Sequence, residues 1–85
     1  FFVRHGVADL IIHRTGHGLG LVGHEFPHDM AFNTRPLMSG EVYSAEPGIF
    51  QWGLGGFRID DTVVIGDTPG ILTRAPRDIF SQTIL

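Results

Sequence analysis

Apolar and polar positions alternate most clearly over residues 57–65. Phe57, Ile59, Val63 and Ile65 fall on one side, and Arg58, Asp60, Thr62 and Val64 on the other. That period of two predicts a half-buried strand. Asp61 breaks the pattern as a charge on the apolar side. Gly66-Asp67-Thr68-Pro69-Gly70 predicts a turn, with Ile71 to Arg74 returning as a hairpin partner. Upstream, Glu41 to Phe50 is rich in strand formers but holds Pro47 and Gly48, and Pro47 biases Glu46 toward extended backbone. Trp52 to Gly56 reads as a glycine-rich turn and residues 25–40 as a loop. Residues 1–5 read as the end of a helix stopped by Gly6. Leu10 to His13 is an apolar, β-branched stretch that turns polar. Gly16, Gly18 and Gly20 stand at alternate positions and oppose a helix there, since each costs up to ~1 kcal/mol in a helix interior. They permit close backbone approach or positive φ instead. The expectation is a strand-dominated chain with little helix.

Composition narrows the function classes. Eighty-five residues make at most one small domain, which buries only roughly 60–65% of its unfolded surface. With 42% hydrophobic and 18% charged residues, the chain is apolar for that size, which suggests that part of its surface packs against further chain. A first residue Phe1 rather than Met suggests an N-terminal truncation. Net charge is −3, with six Arg and no Lys. No basic stripe exists, so nucleic acid is not expected as a partner. The lack of cysteine excludes a disulfide scaffold and thiolate metal sites, and fits a reducing, cytoplasmic compartment. No apolar run approaches the ~20 residues of a membrane span, and the first residues lack the form of a signal peptide.

The candidate chemistry lies in His13, His17 and His24 and in the strand-embedded acids Glu46 and Asp60. His13 and His17 are four apart, but the glycines oppose a helical metal pair, and residue 14 is Arg, so no H-E-x-x-H motif exists. A buried acid needs a partner, and a divalent cation is one. Imidazole with carboxylate suits Mn²⁺, Co²⁺, Zn²⁺ or Fe²⁺ better than Ca²⁺. Plainer readings stand beside this. A lone His is more often hydrogen-bonded or at the surface than a ligand, and that reading is kept for His5 and His28. Glu46 could be a strand-edge charge, and Asp60 or Asp61 could pair with Arg58.

Three segments resemble one family in order and spacing. His13-Arg14-Thr15-Gly16-His17-Gly18-Leu19-Gly20-Leu21, followed by His24-Glu25-Phe26-Pro27, resembles the H-R-x-G-H-G-x-G-L…H-E-x-P segment of prolidases and aminopeptidase P. Ser44-Ala45-Glu46-Pro47-Gly48-Ile49-Phe50 resembles their E-P-G-[IV]-[YF] strand. Gly56-Phe57-Arg58-Ile59-Asp60-Asp61-Thr62 resembles their G-x-R-I-E-D-T strand. The resemblance implies an α+β pita-bread fold, of which this chain supplies mainly the C-terminal antiparallel strands. Residues 1–85 would then be part of the catalytic domain, with its N-terminal half missing. It implies hydrolysis of Xaa-Pro bonds in proline-containing peptides, two divalent ions (Mn, Co or Zn), and a homodimeric parent. Residue by residue, it makes His17, Glu46 and Asp60 metal ligands, with Glu46 also relaying a proton. His24 would contact the scissile carbonyl, His13 would line the substrate site, and Arg58 would sit beside Asp60.

Two departures qualify it. The family's two upstream aspartate ligands have no counterpart in the nine residues before Leu10. Asp60 stands where the family has Glu, roughly 1.5 Å shorter in reach. The chain by itself is therefore expected to be inactive, and to aggregate or dimerise through exposed apolar surface. The alternatives are a non-catalytic binding module on the same fold, or a metal-free creatinase-like amidinohydrolase.

Overall fold

The computed structural model describes residues 1–27 and 30–84, so His28 lies outside the described residues. The chain opens with a turn at residues 1–6, in which His5 N–H donates to the carbonyl of Phe1 (3.2 Å) and Gly6 takes φ +68°. A positive φ suits glycine and stops a helical turn. A 3₁₀ turn follows at Ala8–Leu10, then β1 (Gly18–Leu19), β2 (Val42–Ala45), β3 (Gly48–Gln51), β4 (Gly55–Arg58), β5 (Asp61–Val64), β6 (Gly70–Ile71) and a short helix α1 (Ile79–Gln82). The strands form a four-stranded sheet in the order β1-β2-β5-β6 and a two-stranded sheet β3-β4, with every pair antiparallel. The expected hairpin after residue 66 is present as β5-β6, with its return strand at Gly70–Ile71 rather than over Ile71 to Arg74.

The single strand expected over residues 57–65 is instead two strands, β4 and β5, in different sheets. Glu41 to Phe50 likewise divides into β2 and β3. The cause lies at Pro47. Ser44 N–H and Glu46 N–H donate toward the β1 side, to His17 O and Thr15 O, both at 2.8 Å. By alternation position 47 would donate toward the other strand, and proline has no N–H to give. The register does not slip across this gap. Ala45 pairs with Asp61 and Gly48 with Arg58, so Glu46 stands opposite Asp60, and Pro47 opposite Ile59. The glycine-rich turn is shorter than expected: residues 52–54 turn, while Gly55 and Gly56 belong to β4. Helix α1 was not anticipated. Its cap is Asp78, whose carboxylate accepts from Ser81 N–H at 2.8 Å.

Asp61, the charge on the apolar side, finds its partners outside its own strand. Arg77 Nη2–H and Nε–H donate to its two oxygens (2.6 and 3.0 Å), and the Thr73 hydroxyl donates to it as well. The pairing with Arg58 that the sequence allowed is therefore corrected, because Arg77 takes both carboxylate oxygens in the two-pronged arrangement that favours Arg. Hydrogen bonds from Arg77, then Thr73, hold the Asp61 carboxyl below its usual value. A depressed folded-state pKa adds stability above the unfolded carboxylate pKa, and that stability disappears as pH falls through the folded value. Arg77→Gln should therefore lower stability at neutral pH, and the gap from wild type should close in acid. Urea melts of the two forms at neutral and acid pH check this.

No hydrophobic residue among the described ones is buried, and Ser44 (7% exposed) is the buried polar residue. Phe1, Leu21, Trp52, Phe80 and Ile84 are each more than four-fifths exposed. The total accessible surface is 6927 Å², against about 5,000 Å² for a compact monomer of this mass. The strands are thus held by backbone pairing and polar contacts more than by an apolar core. None of the described helices is long and apolar enough to cross a membrane.

Candidate active site

The backbone pairing of β1 with β2 runs on beyond β1 as far as Thr15 and Glu46. It brings His17 across from Ser44, with Glu46 two residues further along on the same face. Gly16 makes the approach possible: a Cβ there would lie 2.1 Å from the Ser44 carbonyl oxygen. Gly16→Ala must push backbone against backbone, and a cost of about 1–3 kcal/mol is expected. Denaturant melts, with amide exchange at Ser44, would show the loss together with opening of this pairing.

His17 Nδ1–H donates to Gly18 O (3.0 Å), which leaves Nε2 to face Glu46 Oε1 at 2.9 Å. Both side chains are mostly buried, at 12% and 14% exposure. Two lone pairs at this distance require a proton or a cation between them. Fixing one imidazole nitrogen on a carbonyl so that the other is presented is how metal-binding histidines are commonly held. An imidazole nitrogen and a carboxylate oxygen are both common ligands of divalent first-row ions. The pair therefore fits a divalent metal as part of its ligand set. Among the described residues no group of three or more His, Cys, Asp or Glu gathers closely enough to hold an ion, so the pair is not a whole site.

Ser44 ties the two together. Its hydroxyl accepts from His17 N–H (2.9 Å) and donates to Glu46 Oε1 (3.1 Å). No role for Ser44 was evident from the sequence. Its position two residues before Glu46, on the same strand face, was the one available signal. Arg58 Nη1 forms an ion pair with the other oxygen, Glu46 Oε2, at 3.2 Å. The His24 ring stacks on that of His17, with centroids 3.7 Å apart and planes 16° apart. His13 Nδ1–H donates to Arg14 O and its ring lies edge-on to Phe50. Its Nε2 is buried without a partner, in front of Gly48, where a Cβ would come within 2.9 Å of that nitrogen.

An open cleft of about 800 Å³ collects these groups: His13, His17, His24, Glu46 and Arg58 line it with Ile11, Ile12, Arg14 and Gly16. Five of the six residues singled out from sequence thus meet. Asp60 does not line the cleft. The strand register sets its backbone opposite Glu46, while its side chain is exposed.

The sequence profile described as Metallopeptidase family M24 matches residues 1–67. The chain is 47% identical over 76 residues to a probable dipeptidase PepE of Mycobacterium tuberculosis, covering 88% of this chain and 20% of that one. It is 41% identical over 77 residues to a Xaa-Pro dipeptidase of Pyrococcus furiosus, covering 89% and 22%. Among solved structures it superposes on the prolidase of Pyrococcus horikoshii with a TM-score of 0.80 at 34% identity, covering 92% of this chain and 23% of that one. The chain spans about a fifth of the length of the curated relatives it matches. The fold expectation holds: mostly antiparallel strands with little helix, matching part of a pita-bread domain.

Proposed function

Because the chain belongs to metallopeptidase family M24, we propose that the natural polypeptide carrying these residues hydrolyses Xaa-Pro bonds with divalent metal ions as cofactor. The observation that carries this reading is the His17–Glu46 pair at 2.9 Å, set in a cleft with His13, His24 and Arg58. Its relatives' names, Xaa-Pro dipeptidase and prolidase, support the substrate class.

In this reading His17 Nε2 and Glu46 Oε1 are metal ligands, and Asp60 is a third through its cross-strand position beside Glu46. Two ions (Mn, Co or Zn) would be held with further donors beyond this chain. Bound there, divalent ions polarise a scissile carbonyl and lower the pKa of an attacking water. Glu46 takes up and returns the water's proton. His24 donates a hydrogen bond where oxyanion charge develops. His13 lines the cleft on the side of the proline-containing substrate. Arg58 orients the Glu46 carboxylate through Oε2. The 85 residues by themselves supply too few donors for turnover. They form part of one catalytic domain, in a cytoplasmic homodimer.

One observation favours a second reading, a non-catalytic binding module. Arg58 already satisfies Glu46 Oε2, so the carboxylate has protein partners on both oxygens without an ion. Chelation separates the readings. Hydrolysis of a Xaa-Pro dipeptide that EDTA abolishes and Mn²⁺ restores supports the peptidase. Metal-insensitive hydrolysis of a guanidino compound would point to a creatinase-like amidinohydrolase, and no hydrolysis of either substrate under any metal to the binding module.

A further inference from the structure

Gly20 and Glu25 belong to the glycine- and histidine-rich segment, yet neither has a role in the chemistry above. The structure interlocks them. A Cβ on Gly20 would lie 2.1 Å from Glu25 Oε1 and 2.9 Å from its carboxyl carbon. The carboxylate thus occupies the space that a side chain at position 20 would fill. From there Oε1 accepts from Val22 N–H at 3.2 Å. Two backbone bonds close the same loop: Gly20 N–H donates to Val22 O (3.2 Å) and Glu25 N–H to Gly18 O (3.1 Å). His24 sits immediately before Glu25, and its ring lies flat on His17.

We propose that Glu25 is a positioning residue whose carboxylate, seated in the space left by Gly20, clamps the 20–25 loop and holds the His24 ring over His17. The proposal rests on the peptidase reading only for its catalytic consequence. His24 is exposed, so neighbouring side chains do little to hold it, and its placement falls to the loop. An exposed ring on an unclamped loop would sample many rotamers. A catalytic donor misplaced by about 1 Å can cost 10²-fold in rate.

The backbone makes the test selective. Gly20 is not at positive φ, and the nearest atoms to an added Cβ belong to the Glu25 side chain. Gly20→Ala should therefore act by expelling the carboxylate. Gly23 has open space around it and no positive φ, so Gly23→Ala is the control on the same loop.

The experiment uses the natural polypeptide labelled with [¹³Cε1]-histidine, with His24 assigned by substitution. Wild type should show the ring-current displacement of a stacked imidazole. Glu25→Ala and Gly20→Ala should each lose it, and the double variant should be no worse than either single one. Glu25→Gln, which keeps the accepting oxygen, should retain it, as should Gly23→Ala. With a Xaa-Pro dipeptide, Glu25→Ala should lower kcat by about a hundredfold with KM nearly unchanged, and Glu25→Gln should restore most of it. An undisplaced His24 signal in wild type, a displacement that survives Glu25→Ala, or additive losses in Gly20→Ala and Glu25→Ala would overturn the proposal. If wild type shows no hydrolysis, the peptidase reading fails, while the histidine spectra still decide the clamp.

Discussion

Glu46→Gln is expected to lower kcat for a Xaa-Pro dipeptide by about 10²–10⁴-fold, the largest single-residue effect in the site. Glu46 is where the site's contacts converge. Oε1 faces His17 Nε2 at 2.9 Å and accepts from Ser44, and Oε2 is paired with the Arg58 guanidinium. An amide has one acceptor oxygen and one NH₂ donor. If the oxygen stays toward His17, the NH₂ faces the Arg58 guanidinium, donor against donor. If it flips, the oxygen faces Arg58, and Ser44 must accept where it now donates. Either way the negative charge that would balance a cation is gone, so metal content should fall with activity. Steady-state kinetics alongside metal analysis of the purified variant measures both. Full activity with full metal content would contradict the role given to Glu46.

His24→Ala should lower kcat by about 10²–10³-fold, the cost of one oxyanion donor, and leave KM and metal content near wild type. The ring lies on His17 at 3.7 Å, and among the described residues the side chains paired with Glu46 are His17, Ser44 and Arg58. This separates it from Glu46→Gln, in which rate and metal should be lost together. A variant that raises KM at unchanged kcat would move His24 from transition-state stabilisation to ground-state binding.

Much of the site was legible because it depends on local pattern. The alternate glycines at 16, 18 and 20 opposed a helix, and the chain there is extended, with β1 at Gly18–Leu19. The alternation that set Arg58 and Asp60 on one strand face also explains why Arg58 reaches Glu46. Other features needed pairings that no local period reveals. Ser44 matters because β1 and β2 continue pairing past their ends, across 27 residues of sequence. The partner of Asp61 is Arg77, 16 residues away. The break at Ile59-Asp60 arises from a proline on the opposite strand. Alternation within residues 57–65 could not show it, since the interruption leaves the register unchanged.

Asp60 is where pattern and geometry part. The register puts it opposite Glu46, as two neighbouring ligands require, yet its side chain is not in the cleft. A carboxylate one methylene shorter than glutamate has less reach toward a shared ion. Asp60→Glu should therefore strengthen metal binding, where Asp60→Ala weakens it. Calorimetry on the two variants compares them.

Everything proposed for the site depends on His17 and Glu46 binding metal. The most direct test is a calorimetric Mn²⁺ titration of the chelator-treated natural polypeptide, run beside His17→Ala. Saturable binding is expected in wild type, lost or weakened at least tenfold in the variant, the lower end of the 10–100-fold seen when a metal site's supporting partners are removed. Equal affinity and stoichiometry in both proteins would contradict it, and would leave the His17–Glu46 contact as a proton-bridged structural pair.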